Sequence, residues 1–237
     1  MKADLHIHTV LSPCGDLEMS PRNIIAEAKR KGLSIIGITD HNSTRQAPII
    51  QEHGKDEGIF VLTGVEINTQ EEVHCLAFFP TLERLNEFQQ YIDLHLPNIT
   101  NNHEKFGYQI VVNINEEIIY EEERLLISAI DQNIENIEKT VHQLDGIFIP
   151  AHINKSFASI LSQLGFIPPS LNCDALEVSP HITPTRFVEE NSYLKNYPFI
   201  QSSDAHYIND IGKAYIELNL SDVSFESIRK AIKSLIV

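Results

Sequence analysis

Cysteine is scarce in this chain, and the three that occur form no pairing motif. Cys14, Cys75 and Cys173 are far apart, and no two of them make a C-x-x-C pair. An odd number of isolated thiols is typical of a reducing compartment rather than of a disulfide-stabilised secreted domain. Because the sequence also shows no signal-peptide pattern, we expect a cytoplasmic protein.

Basic residues are few compared with acidic ones. Lys and Arg number 18 against 33 Asp and Glu, which gives a formal net charge of -15. A negative field of this size repels polyanions, and no basic stretch is interleaved with aromatic residues. A nucleic-acid partner is therefore disfavoured.

Long apolar runs are absent as well. No stretch approaches the ~20 residues that cross a bilayer, so we expect no membrane partner. The 237 residues, with 42% hydrophobic content, are nevertheless sufficient to bury a sizeable core. Since α/β barrels of this length commonly form one domain, we expect a single domain over residues 1–237.

Short apolar segments alternate with helix-like ones, and the first unit shows the pattern. A strand at 2–9 is followed by a helix at 21–31, capped by Ser20, and by a buried strand at 33–39. Such a unit is right-handed and brings the ends of both strands to one edge of the sheet. Further strands are predicted at 59–63, 72–79, 146–150, 175–178, 199–202 and 215–218, and further helices at 47–53, 83–96, 156–164, 184–193 and 225–235.

Seven or eight such steps favour an α/β fold of the (β/α) barrel type, with its site at the carboxyl ends of the strands. Residues 82–145 differ, because long polar stretches there, including 133–144, are helix-like. We predict a helix-rich elaboration beside the barrel and within the same domain. Glu121, Glu122 and Glu123 are predicted to lie on a solvated helix face.

Histidines and carboxylates recur near the ends of the predicted strands. His6 and His8 lie two positions apart, so on a strand both rings leave the same face and can converge on one ion. The candidate metal ligands, in chain order, are His6, His8, Asp16, His41, Glu66, His74, His152, Asp204 and His206.

A mixed imidazole and carboxylate set suits Zn²⁺, Mn²⁺ or Fe²⁺. Nine ligands exceed what one ion uses, so we predict two or three ions, with Glu66 or an aspartate as a bridge. Such a centre favours phosphate ester hydrolysis through a metal-bound hydroxide. Asp204, His41 and His206 are the candidates for orienting that nucleophile or protonating the leaving group.

Several positions keep alternatives open. Asp16 follows a Pro-Cys-Gly turn and can equally be a turn residue. Cys14 is the alternative ligand, although a buried structural thiol is the expected role. Glu177 and His181 follow a strand and can line the pocket. Histidines 53, 95, 103 and 142 are predicted to be surface residues.

An anionic substrate requires basic groups near the strand ends. The candidates are Lys155, Arg186 and Arg45, together with Arg22, and each can equally be an exposed helix charge. Arginine suits bidentate contacts with phosphate.

Six segments together resemble the polymerase and histidinol phosphatase (PHP) family, in the family's order and over nearly the whole chain. They are D-L-H-I-H-T at 4–9, I-T-D-H-N at 38–42, G-V-E-I at 64–67, E-V-H at 72–74, P-A-H at 150–152 and S-D-A-H at 203–206.

The resemblance implies a distorted, TIM-like barrel of seven (β/α) units, a di- or trinuclear metal centre and phosphoesterase activity. It makes His6 and His8 first-strand ligands and Glu66 a bridge, with His41, His74, His152, Asp204 and His206 as the remaining ligands. Many members supply the next ligand from a compact turn after H-x-H-T. Here residues 12–16 form a longer turn, which leaves Asp16 and a third ion open.

Three functions follow as hypotheses. The first is a phosphatase that acts on a phosphomonoester of a small metabolite or nucleotide. The second is a nuclease that trims short oligonucleotide ends, which the net charge disfavours. The third is a non-catalytic metal-binding regulatory module, which predicts a degraded ligand set. Because family membership does not determine function, the substrate stays open.

Overall fold

The computed structural model of the chain describes residues 1–236. Its ten strands are β1 (Lys2–Ile7), β2 (Ile35–Ile38), β3 (Phe60–Asn68), β4 (His74–Phe78), β5 (Ile110–Val112), β6 (Ile118–Glu121), β7 (Ile147–Pro150), β8 (Leu176–Val178), β9 (Phe199–Gln201) and β10 (Ile216–Glu217). Its eight α-helices are α1 (Pro21–Arg30), α2 (Ala47–Glu57), α3 (Leu82–His95), α4 (His103–Phe106), α5 (Ile134–Gln143), α6 (Ile160–Leu164), α7 (Pro184–Glu190) and α8 (Phe225–Lys233).

Helix ends largely follow the capping residues visible in the sequence. Ser20 precedes α1, whose first residue is Pro21, but the expected side-chain cap does not form, because the Ser20 hydroxyl donates to Glu116 Oε1 at 2.8 Å. Thr183 does cap α7, since its hydroxyl oxygen accepts from the Arg186 amide. The helix predicted at 156–164 begins later, because Ser159 and Ser162 form a reciprocal capping box at the start of α6. The turns before α6 thereby stay free to carry polar side chains.

Six strands form one sheet in the order β10-β1-β2-β3-β4-β7. The strands β1, β2 and β3 are parallel, whereas β4 is antiparallel to both β3 and β7. Asn68 at the end of β3 pairs with His74 at the start of β4. The antiparallel direction therefore brings the first residue of β4 to the edge where the parallel strands end.

The strands β8 and β9 form a separate parallel pair that lies between the two sides of this curled sheet. On one side the Ile153 amide donates to the Glu177 carbonyl at 2.8 Å. On the other side Ile7 bridges to Ala205 in parallel register, just beyond β9. The sheet is thus a curled half-barrel in an α/β fold, and its closure into a complete seven-stranded (β/α) barrel stays a prediction.

A buried apolar cluster joins the strands from within. It takes one or more residues from each of β1, β2, β3, β4, β7 and β9 and packs them against α8; its members include Leu5, Ile35, Leu62, Leu76, Ile149, Ile200, Ile228 and Ile232. Strand contact is close at Gly37, where an added Cβ would lie 2.5 Å from the Leu5 carbonyl oxygen. A side chain at Gly37 would therefore push β2 away from the strand that carries His6 and His8.

The middle of the chain corrects one prediction. The acidic run does not lie on a helix: Glu121 ends β6, which pairs with β5 in a hairpin. Glu122 is buried and accepts hydrogen bonds from Arg124 Nε and the Tyr120 hydroxyl, each at 3.0 Å. These partners compensate the burial of the Glu122 carboxylate, while Glu121 and Glu123 on either side of it are exposed. That residues 82–145 form a helix-rich elaboration within one domain stays a prediction.

Across residues 1–236, no helix combines the length and the apolar character needed to span a bilayer.

Candidate metal centre

Glu66 lies at the middle of the candidate site. It is buried inside β3, rather than after the end of the strand as the sequence predicted, and pairs with Leu76. Its carboxylate oxygens lie 3.0 to 3.4 Å from ring nitrogens of five histidines: His6, His8, His41, His74 and His152. A single carboxylate with two oxygens thus contacts five imidazoles from four different segments of the chain.

Asp204 enters this set from the loop after β9. Its Oδ1 lies 3.3 Å from His6 Nε2 and 3.4 Å from His8 Nε2. The His6 and His8 Nε2 atoms are themselves 3.2 Å apart. The rings of the H-x-H pair therefore lie together, and a second carboxylate faces both of them.

His41 and His206 lie on the other side of His8. The His206 ring stacks on the His8 ring with centroids 4.1 Å apart, and the His41 ring is 4.6 Å from that of His8. Cys14 offers its sulfur to the same group, because ligand atoms of Cys14, His8, His41 and His206 all lie within 4.8 Å of one another. Cys14 is exposed, so the expected buried structural thiol is wrong.

Other side chains hold the imidazoles in position. Glu177 Oε2 accepts a hydrogen bond from His6 Nδ1 at 3.0 Å and another from the His152 amide at 3.0 Å. Ser12 Oγ lies 2.9 Å from His8 Nδ1 and donates to Asp40 at 2.7 Å. Both contacts leave the Nε2 atoms of His6 and His8 directed at the carboxylates, as a metal site requires.

The pKa shifts divide the imidazoles into two groups. Burial raises the pKa of Glu66, but the surrounding imidazoles outweigh burial and hold this pKa well below its ordinary value. Burial lowers the pKa of His41 to about 4 and that of His206 to about 3, so both rings are in the neutral form that binds a metal ion. Burial also acts to lower the pKa of His6 and His8, but the carboxylates around them outweigh it and raise both. A cation bound at His6 and His8 would therefore displace their protons.

Two of these positions have left-handed backbone in residues other than glycine. His152 has a φ of 31° and Asp204 a φ of 54°. Such conformations cost on the order of 1 kcal/mol and cluster at functional sites. The strained backbone thus carries one side chain that contacts Glu66, that of His152, and one that faces His6 and His8, that of Asp204.

A cavity of about 430 Å³ opens onto the cluster. Lys155 and the exposed Phe157 stand at this cavity, and Lys155 Nζ donates to Asp204 Oδ2 at 2.5 Å. A larger cavity of about 820 Å³ lies near the amino-terminal ends of the strands, and its lining combines apolar residues such as Phe60 with Ser34, Glu52 and Lys55. In barrel-like folds that end is associated with stability rather than chemistry.

The structure does not bring four of the predicted residues to the cluster. Asp16 Oδ1 accepts from the Glu18 amide at 2.8 Å and is a turn residue. Arg45 pairs with Asp93 at 2.7 Å in a network beside α3. The remaining two arginines lie on helix surfaces: Arg186 is 73% exposed beside Glu190, and Arg22 contacts the Ile114 carbonyl.

Four supporting residues were not singled out as such from the sequence. Asp4 accepts from the amides of Ser203 and Gly212 and so ties β1 to the loop that carries Asp204. Asp40, Ser12 and Glu177 hold ligand-bearing segments in the ways described above. The sequence signal for Asp4 and Asp40 is their place beside H-x-H and D-H, since carboxylates next to metal-binding histidines commonly orient them.

An α/β fold that gathers imidazoles around a shared buried carboxylate presents a candidate centre for divalent metal ions. The chain belongs to the PHP family: the model of the PHP domain matches residues 4–169, and that of the PHP-associated region matches residues 186–235. The predicted resemblance is therefore confirmed.

One curated relative aligns along nearly the whole chain. It is YqxK of Bacillus subtilis (strain 168), an uncharacterised protein that is 27% identical over 98% of this chain. The chain spans 61% of the length of YqxK.

Solved structures share the fold. A lesion-specific endonuclease from Pyrococcus furiosus, PfuEndoQ, superposes with a TM-score of 0.74 and 23% identity over 99% of this chain and 56% of its own. An Endonuclease Q complex with a 27-mer duplex carrying an abasic lesion superposes with a TM-score of 0.73 and 22% identity, over 99% of this chain and 56% of its own. A Bifidobacterium adolescentis protein assigned as a metal-dependent phosphoesterase superposes with a TM-score of 0.66 and 17% identity, over 97% of this chain and 95% of its own.

Proposed function

We propose that this protein is a metal-dependent phosphoesterase that hydrolyses a phosphomonoester of a small metabolite or nucleotide. The observation that carries the proposal is the placement of Glu66 within 3.4 Å of five imidazoles, with Asp204 facing two of them. PHP membership supports the hydrolase class. The cavity of about 430 Å³ supports a small substrate.

The residues present fit two or three divalent ions, Zn²⁺, Mn²⁺ or Fe²⁺. Buried carboxylate oxygens and imidazole nitrogens converge at the site, and the protein supplies fewer positive groups than these atoms need. A metal ion compensates such an excess of buried acceptors. In this proposal His6, His8 and Asp204 would hold one ion and His74 and His152 another, with Glu66 available to both. His41 and His206 would hold a third. Bound ions would supply charge neutralisation at the phosphoryl oxygens and a lowered pKa for water.

The protein's own groups orient the substrate. Lys155 Nζ lies at the cavity beside Asp204 and offers a positive charge to a phosphoryl oxygen. Asp204, the catalytic candidate, holds Lys155 through one oxygen and faces His6 and His8 with the other. His206 Nδ1 donates to the Asp204 carbonyl at 2.9 Å, which directs its other nitrogen away from that loop. Arg45, Arg186 and Asp16 have no part in this proposal.

The proposal extends to the architecture. The curled sheet and the β8–β9 pair would together form the distorted seven-stranded barrel, and residues 82–145 an elaboration within a single domain. Hydrogen bonds at both sides of the β8–β9 pair support this arrangement.

The test is hydrolysis of an aryl phosphate. We expect exhaustive chelation to abolish turnover and Mn²⁺ or Zn²⁺ to restore it. Asp204→Ala should remove activity, by a factor on the order of 10³ or more, in a chain whose circular dichroism is unchanged. Asp56→Ala, which changes an exposed carboxylate on α2, is the control.

Full turnover in the chelated protein or in Asp204→Ala would overturn the assignment. Full metal occupancy without hydrolysis of any phosphorylated substrate would favour the non-catalytic regulatory module instead.

A nuclease acting on short oligonucleotide ends is the second candidate, and one observation favours it. Phe157 is 65% exposed at the cavity, with Lys155 Nζ 5.9 Å from its ring centroid. An exposed aromatic ring beside a cation is a platform on which a nucleobase can stack. Phe157→Ala should then weaken turnover of an oligonucleotide and not that of glycerol phosphate; an equal effect on both would exclude this role for Phe157.

A further inference from the structure

Cys14 lies in the turn between β1 and α1, and that turn is tied to the loop carrying His206. The Asp16 amide donates to the His206 carbonyl at 2.9 Å, and the Gly15 amide donates to the Ser12 carbonyl at 2.9 Å. Gly15 is packed so tightly that an added Cβ would lie 2.1 Å from the Thr9 carbonyl oxygen. The turn therefore holds Cys14 in place rather than leaving it on a free loop.

The donor atoms around Cys14 differ from those around Glu66. The ligand atoms of Cys14, His8, His41 and His206 all lie within 4.8 Å of one another, and this set contains no carboxylate. The groups built on His6, His8 and Glu66 and on His41, Glu66 and His74 each contain one. The carboxylate of Asp16, which the sequence offered as the oxygen ligand here, faces the Glu18 amide.

We propose that the Cys14 thiolate, together with His41 and His206, binds a divalent ion of borderline or soft character, with Zn²⁺ strongly preferred to Mn²⁺. The proposal deepens the proposed phosphoesterase function, because it assigns the metal at one position of the same site. His8 is the nearest further imidazole. His8 is assigned with His6, because its Nε2 lies 3.4 Å from both Glu66 and Asp204 and 3.2 Å from His6 Nε2. His41 Nδ1 faces one carboxylate, that of Glu66, at 3.0 Å, and His41 is assigned with Cys14.

Sulfur and imidazole donors determine this preference. Thiolate ligands select Zn²⁺ and other soft or borderline ions, whereas carboxylate oxygens suit Mn²⁺. Two imidazoles and one thiolate leave a fourth position open, as catalytic zinc sites do. Cys14 is exposed and lines the cavity, so an ion held there would stand at the mouth, where a substrate enters.

The experiment uses the full chain, stripped of metal and titrated with Co²⁺ as a spectroscopic probe. We expect a thiolate-to-cobalt charge-transfer band in the near ultraviolet, and its loss in Cys14→Ser. Cys173→Ser is the matched control, because this partly buried thiol packs against the apolar core, belongs to none of the groups of candidate metal ligands, and should keep the band. Circular dichroism establishes that both variants fold.

Competition between Zn²⁺ and Mn²⁺ gives a second readout. The unaltered chain should retain one zinc ion that Cys14→Ser loses. The zinc affinity of Cys14→Ser at this position should fall on the order of a hundredfold. Cys14→Asp should again bind a divalent ion at this position, but with the preference moved from Zn²⁺ towards Mn²⁺.

A native chain without the band, or a Cys14→Ser chain with unchanged zinc content, would overturn the proposal. An enzyme that hydrolyses phosphoesters without the band would refute the thiolate ligand alone. A chain that shows the band and hydrolyses no phosphoester would refute the phosphoesterase alone.

Discussion

At the scale of the residue, Glu177 illustrates how a buried carboxylate can serve a site without binding its ion. It contacts the His6 Nδ1 atom at 3.0 Å and the His152 amide at 3.0 Å. The first contact fixes the His6 ring through Nδ1, the nitrogen that faces away from Glu66. The second contact fixes His152 through its backbone. Because His152 has left-handed backbone, the amide contact also supports a conformation that is costly by itself. Glu177 is therefore a positioning residue.

Glu177→Gln tests this role. Both donors meet Oε2, and His6 Nδ1 also lies 3.2 Å from Oε1, so an amide must place its NH2 group at one of these two positions, where it faces a donor instead of accepting from it. The negative charge beside His6 is lost as well, and metal affinity should fall about 10- to 100-fold. Isothermal titration of the metal-free protein with Zn²⁺ measures the change. Glu190→Gln, on the exposed face of α7, is the control. Unchanged zinc affinity would contradict a positioning role. A loss of thermal stability in the metal-free variant that is large enough to explain the fall in zinc affinity would contradict it as well.

At the scale of the element, Asp174 joins two helices to the sheet just before β8. It is buried and accepts from the Phe148 amide at 2.8 Å, from His142 Nε2 on α5 at 2.9 Å and from Lys233 Nζ on α8 at 2.8 Å. His142 also contacts Glu138 one turn earlier. The prediction that His142 is simply a surface residue is therefore wrong, since it is part of this junction.

The pH dependence of stability follows from the two pKa shifts. The hydrogen bond with Asp174 raises the pKa of His142 above its ordinary 6.5, so its contribution is full below that value and is lost as the pH rises through the folded pKa. Burial raises the pKa of Asp174, but the hydrogen bonds from His142 and Lys233 outweigh burial and lower it. That contribution is lost as the pH falls below about 3.8.

His142→Gln should reduce the free energy of unfolding by on the order of 1 kcal/mol at pH 6, and by less at higher pH. The measurement is urea unfolding from pH 5 to pH 9. His181→Gln, at an exposed position, should leave the native profile unchanged. A His142→Gln profile parallel to that of the native chain would contradict the assigned ion pair.

At the scale of the whole molecule, the net charge of -15 and the buried carboxylates of the site act in the same direction. Self-repulsion of like charges destabilises a compact chain, and a bound cation relieves it where the acids are most concentrated. The candidate ligands span positions 6 to 206 of the chain. They lie on segments at both sides of the β8–β9 pair. An ion bound among them would link segments that are far apart in sequence.

Zn²⁺ or Mn²⁺ should therefore raise the melting temperature of the metal-free protein. At a free concentration one hundred times Kd, the gain is about 2.7 kcal/mol, or roughly 5 to 10 °C for a chain of this size. Differential scanning calorimetry gives the shift. Glu66→Gln should abolish most of it, and an unchanged melting temperature with every divalent ion tried would count against a built metal centre.

The sequence by itself determined the strand-borne part of the site. His6 and His8 converge because side chains two apart on a strand share a face, and Asp204 and His206 follow a buried strand, as their spacing suggested. These are local rules, and a single segment obeys them. The family assignment rests on the same segments.

The tertiary structure decided the positions that depend on contacts between distant segments. Cys14 rather than Asp16 faces His206 because a backbone hydrogen bond joins residues 190 positions apart along the chain, from Asp16 to His206. Glu177 meets His6 only after the β8–β9 pair packs beside β1, and Arg45 turns to Asp93 instead of the cavity. No periodicity within a turn or helix predicts such contacts. They form only when the sheet has curled and brought distant segments together.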